Sequence, residues 1–190
     1  MANDKHITIE ISDCPKDIII SLDYKLGTKL FDNLLSNAIK YTPEGGRITL
    51  RANTYKGKVK IDVKDNGMGI PKDDQKKIFN NYYRAENVVK TKINGTGLGL
   101  MLARRITSLH NGELTFRSEE GKGTTFTVSL PLVRREMEVT KTENKEEKAL
   151  SSEIILFVDD NADLRSYFHM TFSANYKVVT VENGKKALEY

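Results

Sequence analysis

The hydrophobic and polar positions follow two different periods along the chain, and these periods predict both helices and strands. Lys25–Lys40 carries apolar side chains at four-residue steps, which predicts an amphipathic helix. Arg47–Tyr55 and Lys58–Asp65 alternate apolar and polar residues and are joined by a short Lys-Gly link, which predicts a β-hairpin. A further helix is predicted at about 98–109, after a glycine-rich stretch.

Other segments complete this alternation of strands and helices. Gly112–Ser118 and Thr124–Leu130 predict a second hairpin, and Pro71–Phe79 fits a short helix with proline in its first turn. His6–Ile11 and Ile18–Asp23 are rich in β-branched residues and are predicted to be strands. Because most strands form adjacent hairpins with helices between the pairs, we expect an α+β sandwich. Its mixed sheet would be covered by helices on one face.

A charged stretch divides the chain into a long and a short part. Arg134–Lys148 has almost no apolar residues and mixes both charge signs, which predicts a linker. We therefore expect one domain at 1–133, a linker at 134–152 and a second, short segment at 153–190. In the short segment, the apolar run Ile154–Val158 is followed by helical and then strand periodicity, which predicts a β-α-β unit.

Composition and charge exclude several classes of protein. The 190 residues are 38% hydrophobic and 29% charged, a composition typical of a globular protein with a core. Lysine and arginine number 30 against 26 acidic residues, a net charge of +4, and they are scattered, so we expect no nucleic-acid binding. The longest apolar runs fall far short of the roughly 18 residues of a membrane span, so no membrane contact is expected. A single cysteine, Cys14, suits a cytoplasmic location.

Three polar residues on the first predicted helix form a stripe. Asn33, Asn37 and Lys40 are spaced at i, i+4 and i+7, so they share one helix face beside the apolar one. Amide oxygens are hard ligands that suit Mg²⁺, and an ammonium group can meet a polyanion. Taken alone, the stripe is more typical of a solvated helix surface.

Two glycine-containing motifs follow apolar segments. In Asp65–Pro71, DNGMGIP, Asp65 could accept a hydrogen bond from an exocyclic amine such as that of adenine, although Asp-Asn-Gly is also ordinary turn chemistry. Asn94–Leu100, NGTGLGL, opens a helix, where uncovered N–H groups favour phosphate. It lacks the lysine of a phosphate-binding P-loop. Gly121–Phe126, GKGTTF, is by default a hairpin turn.

The order and spacing of these motifs closely resemble the catalytic ATP-binding domain of sensor histidine kinases, in the GHKL superfamily. The resemblance covers about 6–132 and implies a Bergerat-type α+β fold with ATP and Mg²⁺ as ligands. The matching segments, in the order of the family's N, G1, F, G2 and last glycine boxes, are Asp32–Tyr41, Asp65–Pro71, Ile78–Arg84, Gly95–Leu100 and Gly121–Phe126.

The resemblance implies a role for each matched position. Asn37 would ligate Mg²⁺ held with ATP, and Asn33 and Lys40 would lie beside the phosphates. Asp65 would bind the adenine amino group. The residues expected around the base and nucleotide are Tyr41, Gly67, Gly69, Ile70 and Thr124. A lid at 80–96 and the next helix would contact the phosphates through Lys92, Thr96, Gly97, Leu98, Gly99 and Leu100.

The resemblance also favours a kinase over a hydrolase. Hydrolysing members of the superfamily carry a glutamate base four residues before the magnesium asparagine, whereas this chain has Asn33. None of its three histidines has an acidic, helical phosphoacceptor context. We therefore expect the acceptor histidine on a dimerisation domain outside this chain, and no autophosphorylation by this chain alone. The alternatives are a hydrolysing ATPase and a non-catalytic interaction module.

The short segment resembles the first third of a response-regulator receiver, a partial α/β flavodoxin-like unit. Asp159 and Asp160 at the end of its first strand would be the acidic pair that binds Mg²⁺ in receivers. The phosphoacceptor aspartate expected after a third strand is missing. A kinase and a receiver on one chain would define a hybrid sensor histidine kinase in two-component signal transduction. Its partners would be the dimerisation domain and a receiver, and the parent protein could be anchored in the inner membrane.

Overall fold

The computed structural model describes residues 2–16, 18–80, 83–89, 96–133 and 151–190. The chain forms two compact units, Met1–Arg135 and Glu136–Tyr190, and each is described by itself. Within those described ranges, no helix has the length and apolar character needed to cross a membrane.

The described part of the first unit is built on a five-stranded mixed sheet. Its strands are β1 Thr8–Ser12, β2 Arg47–Tyr55, β3 Lys58–Asp65, β4 Glu113–Glu119 and β5 Gly123–Pro131. They lie in the order β1-β2-β3-β5-β4, with β1 parallel to β2 and all other neighbours antiparallel. The helices are α1 Tyr24–Tyr41, α2 Glu86–Val89 and α3 Gly99–Leu109, and a 3-10 turn, Asn3–Lys5, precedes β1.

The helices cover one face of this sheet, as the sequence predicts. Alternate residues of the three central strands point to this face and are buried, among them Ile48, Val59, Val63, Val128 and Leu130. Helix α1 adds Leu30, Leu34 and Ala38, and α3 adds Leu102 and Ile106. The intervening strand residues, such as Lys58 and Lys64, are exposed on the opposite face. The predicted α+β sandwich is therefore confirmed for this unit.

Distant residues hold both ends of α1. At its N-terminus, Asp23 caps Leu26 N, while Asp23 N donates to His110 Nε2 at 3.1 Å. Because Nε2 accepts this bond, Nδ1 carries the proton and donates to Ile106 O at 2.8 Å. At the C-terminus, Lys5 Nζ donates to three backbone carbonyls, those of Ile39, Lys40 and Thr42, at 3.0, 2.9 and 3.0 Å. A cation on these carbonyls also complements the helix dipole.

Two predicted elements are not formed. Among the described residues, the segment 18–23 forms one isolated β-bridge, between Ile20 and Leu132, beside the end of β5. The segment 71–79 is a series of turns with three-residue hydrogen bonds, such as Asp74 N to Pro71 O and Lys77 N to Asp74 O. An α-helix requires the four-residue bonds that this segment lacks.

Over its described residues, 151–190, the second unit contains two parallel strands and two helices. Its elements are β6 Ser151–Val158, α4 Ala162–Phe172, β7 Tyr176–Val181 and α5 Gly184–Leu188. The predicted β-α-β pattern is confirmed, although β6 begins inside the predicted linker, whose residues 134–150 lie outside the described ranges. Phe157 stacks on Phe168 at 4.0 Å between ring centres, which joins β6 to α4.

Candidate nucleotide-binding site

Asp65, the last residue of β3, forms the base of the candidate site. It is 5% exposed, and its Oδ1 accepts bonds from Gly67 N at 2.9 Å and Thr124 N at 3.1 Å. The first bond is an Asx-turn, so the local turn geometry that the sequence also allowed is present. No described residue bonds Oδ2. Burial raises the pKa of Asp65, and the backbone N–H groups of Gly67, Thr124 and Asp65 itself oppose that rise.

The loop after Asp65 is pressed between α1 and the β4–β5 hairpin. Met68 N donates to Tyr41 O at 3.1 Å, and a Cβ on Gly67 would lie 2.4 Å from that same oxygen. Gly69 has a φ of +64°, and its Cβ would lie 2.0 Å from Glu119 O. Only glycine fits these two positions, because any side chain would collide with backbone on one side or the other.

Two side chains outside the predicted motifs, Ser118 and Gln75, join this loop to the hairpin. Ile70 N donates to Ser118 Oγ at 2.8 Å, and Ser118 Oγ lies 2.8 Å from Thr124 Oγ1. Gln75 Nε2 donates to both Ile70 O and Ser118 O, each at 3.1 Å. In the sequence, Ser118 continues the inward-facing positions of β4 after Leu114 and Phe116. A serine at such a position is the signal that could have identified it.

The asparagine stripe of α1 meets the start of α3. Asn33, Asn37 and Lys40 are half-buried on one face of α1. Asn33 Nδ2 donates to Lys29 O at 2.8 Å, which leaves Oδ1 directed at α3, where a Cβ on Gly99 would lie 2.5 Å from it. The fold therefore brings the predicted phosphate loop and the predicted magnesium stripe together.

Helix α3 begins without a side-chain cap. Leu98 occupies the N-cap position and makes no capping bond, and no side chain among the described residues accepts from the N–H groups of Gly99 or Leu100. Before it, Thr96 is exposed and its Oγ1 accepts from Leu98 N at 3.4 Å, and Gly97 has a φ of +74°. An uncapped N-terminus of an 11-residue helix is electrostatically suited to an anion.

Part of the predicted lid can be placed. Tyr83 Oη donates to Asp74 Oδ1 at 2.5 Å, and Asn87 Nδ2 donates to Gly69 O at 3.0 Å, so both ends of 83–87 contact the 69–74 segment. Burial raises the pKa of Tyr41, and the nearby Arg84 cation opposes that rise. Lys92 lies outside the described residues.

The predicted acidic pair lies in the second unit, at the end of β6. Asp159 Oδ1 accepts from Asn161 N at 2.8 Å, and Arg165 Nη1 donates to Asp159 O at 2.7 Å. Asp160 is exposed beside it. Among the residues that the structure describes, no three acidic, histidine or cysteine side chains cluster to hold a metal ion.

Comparison with known proteins identifies the family of the first unit. The family model for histidine kinase-, DNA gyrase B-, and HSP90-like ATPases matches residues 23–134, more than half of the chain. The chain belongs to this ATPase family. The match includes α1, the Asp65 loop, α3 and both hairpins, so the family expected from the motifs is confirmed.

Relatives of this ATPase-family chain are named sensor histidine kinases. WalK of Bacillus subtilis (strain 168) is 39% identical over 133 residues, which are 69% of this chain and 22% of WalK. TmoS of Ectopseudomonas mendocina is 30% identical over an alignment that spans 100% of this chain and 22% of TmoS. The chain thus spans about a fifth of the length of these two relatives.

Solved structures support the same fold. The catalytic domain of histidine kinase ThkA, in a nucleotide-free form, matches 68% of this chain and 82% of its own length with 28% identity and a TM-score of 0.59. Full-length ShkA, solved in complex with AMPPNP, matches 100% of this chain and 38% of its own length with a TM-score of 0.59. Its 23% identity makes this a likeness of fold.

Proposed function

We propose that the first unit binds Mg²⁺ and ATP and presents the γ-phosphate to a histidine on a dimerisation domain outside this chain. The main support for the proposal is that three features lie close together in one site. A buried carboxylate acceptor, an uncapped helix N-terminus and an amide stripe lie on adjoining elements. The kinase names of the relatives support the same reaction.

The Asp65 end of the site suits an adenine ring. A carboxylate oxygen accepts hydrogen bonds and cannot donate them when ionised, so Oδ2 favours an amino group and repels a carbonyl. The loop containing Gly67 and Gly69 and the residues Tyr41, Ile70 and Thr124 would enclose the ring. The close approach of Gly67 to Tyr41 O and of Gly69 to Glu119 O holds this loop against α1 and β4.

The α3 end of the site suits phosphates and their metal ion. The uncapped N–H groups at Gly99 and Leu100 would bond phosphate oxygens, together with Gly97, Leu98 and Thr96. Asn37 would supply an oxygen ligand to Mg²⁺, with Asn33 and Lys40 beside it, and Lys92 would reach the phosphates from the lid. The bound metal would neutralise phosphate charge during transfer.

The geometry favours transfer over hydrolysis. Asn33 stands where a hydrolase needs a base, its Nδ2 is engaged by Lys29 O, and an amide has no useful basicity. His110 has both ring nitrogens engaged, which supports a structural role for it rather than phosphate acceptance.

We extend the proposal to the second unit as the beginning of a receiver, which would make the parent a hybrid kinase. The β-α-β arrangement with Asp159 and Asp160 after β6 supports it, and so does the alignment with TmoS through the whole chain. A receiver and the dimerisation domain would then be partners of the first unit. Because ATP is the donor, the site would work in the cytoplasm, beneath any membrane-anchored sensing region of the parent.

The test supplies a dimerisation segment with an acceptor histidine to the full chain and radiolabelled Mg·ATP. We expect acid-labile label on that segment and no label on the chain alone. The unmodified chain, incubated without the segment, should release inorganic phosphate at the same rate as the Asp65→Asn variant. Steady hydrolysis that Asp65→Asn abolishes would support the ATPase alternative. Absence of ATP binding would instead support the non-catalytic module.

A further inference from the structure

The hydroxyl of Ser118 makes three polar contacts with described residues. Together they determine which acceptor receives the hydroxyl proton. Ile70 N donates to Ser118 Oγ at 2.8 Å. Ser118 Oγ also lies 3.1 Å from Gly123 O and 2.8 Å from Thr124 Oγ1. A hydroxyl has one proton and two lone pairs. The carbonyl of Gly123 can only accept, so all three contacts are satisfied together only when Ser118 donates to Gly123 O.

This arrangement determines what Thr124 can offer to a ligand. With the Ser118 proton on Gly123 O, the remaining Ser118 lone pair accepts the hydroxyl proton of Thr124. Thr124 Oγ1 then has no proton left to donate, and it presents only lone pairs. Thr124 N donates to Asp65 Oδ1 at 3.1 Å, and the pairing of Lys64 with Thr125 places Asp65 and Thr124 next to each other across β3 and β5.

We propose that Ser118 is a positioning residue that holds the Thr124 hydroxyl as a hydrogen-bond acceptor, so that Thr124 and Asp65 together select purines with an amino group at position 6. An amino group has two protons to donate, and two acceptors match it. A 6-oxo group meets two acceptors and finds no donor. The inference rests on the proposed ATP site.

Ser118 is held in place from the other side by Gln75. The two Nε2 protons of Gln75 go to Ile70 O and Ser118 O, which ties the backbone of the loop to the strand that carries Ser118. Asp65, Thr124 and Ser118 end up side by side across β3, β5 and β4, since Ser118 pairs with Thr124 and Lys64 with Thr125. The hydroxyl orientation is thus supported by the rigid sheet.

The test compares the affinities of the full chain for ATP and ITP, which differ in the 6-amino and 6-oxo groups. We expect Ser118→Ala to lower the ATP-to-ITP affinity ratio about five- to tenfold, because the freed Thr124 proton can then turn to the 6-oxo oxygen. Ser118→Thr keeps the hydroxyl and should keep the ratio. Ser129→Ala is the matched control, a buried serine of β5 that should leave the ratio unchanged.

A second variant keeps the test decisive if Ser118→Ala folds poorly. Thr124→Val removes the acceptor with almost no change of shape and should lower the ratio as much. The double variant should fall no further than either single variant, because the two hydroxyls act as a unit. Equal losses for ATP and ITP in Ser118→Ala, or a ratio that falls equally in Ser118→Thr, would overturn the assignment. Failure of the unmodified chain to bind ATP would overturn the proposed function itself.

Discussion

Replacing Asp65 with asparagine distinguishes the contribution of this residue to nucleotide affinity from its effect on the stability of the fold. Asparagine can keep an oxygen toward Gly67 N and Thr124 N, which now donate to Oδ1 at 2.9 and 3.1 Å. Its amide nitrogen then replaces the accepting Oδ2 and faces the adenine amino group donor to donor. A hydrogen bond to a charged group contributes about 1.5–3 kcal/mol. Since 1.4 kcal/mol is tenfold, Mg·AMPPNP affinity should fall about ten- to a hundredfold in calorimetric titration.

The same substitution should not destabilise the chain without nucleotide at neutral pH. Burial raises the pKa of Asp65 in the folded state, so the ionised carboxylate works against folding above that pKa. The stability that the protonated Asp65 carboxyl contributes is fully present below the pKa of the unfolded state. It is lost as the pH rises through the pKa of the folded state. Asp65→Asn lacks the titration, so its melting temperature should equal or exceed that of the unmodified chain near pH 7.5.

The pH dependence and a neighbouring control make this prediction refutable. The melting difference should shrink as the pH falls into the acidic range, because Asp65 then takes up a proton and becomes neutral like asparagine. Asp62→Asn is the matched control on the outward face of β3, where Asp62 Oδ1 accepts from Thr127 Oγ1 at 2.6 Å, and it should keep nucleotide affinity. A lower melting temperature of Asp65→Asn at pH 7.5 combined with unchanged affinity would show that Asp65 supports the fold and does not bind the nucleotide.

Three further predictions follow from contacts around the site. Gly69→Ala should weaken Mg·AMPPNP binding at least about tenfold in calorimetry, because its Cβ would lie 2.0 Å from Glu119 O. Gly57→Ala, with a similar φ of +73° and open space, should leave the affinity unchanged. Gly99→Ala should lower the free energy of unfolding in urea, and adding Asn33→Ala should restore it, because the clash is with the Asn33 amide. Lys5→Met should lower that free energy by about 1–2 kcal/mol, and an unchanged urea midpoint would show that the three carbonyl bonds contribute nothing.

The fold of the first unit was largely predictable because its signals are local. The hairpin of β2 and β3 has the predicted bounds, since strict alternation and a two-residue turn specify register by themselves. Helix α1 follows its four-residue apolar stripe to within one residue at each end. The strand predicted at 18–23 was wrong. Its β-branched composition indicated a strand, but among the described residues it pairs through one bridge to Leu132.

The segment 71–79 failed for a different reason. Its proline start and polar composition suit a helix, but its side chains form hydrogen bonds with other segments. Gln75 bonds the Asp65 loop and β4, and Asp74 accepts from Tyr83. Tertiary contacts of this kind override a weak helical preference.

The candidate site was predictable where a motif carries its own chemistry. The Asp65 loop, the asparagine stripe and the opening of α3 all stand in contiguous motifs. Ser118, Gln75 and Lys5 were not predicted, because each bonds at least one residue that lies 34 to 48 positions away along the chain. No local pattern encodes such partners, and only the folded sheet brings them together.

Binding of Mg·ATP between the Asp65 loop and the start of α3 can be observed residue by residue. The most direct measurement is a titration of the isotopically labelled chain with Mg·ATP, followed through its backbone amide NMR signals. We predict saturable shifts at Gly67, Gly69 and Thr124 at one end of the site and at Gly99 and Leu100 at the other. Absence of saturable shifts, or shifts confined to residues remote from both ends, would show that Mg·ATP does not bind at this site.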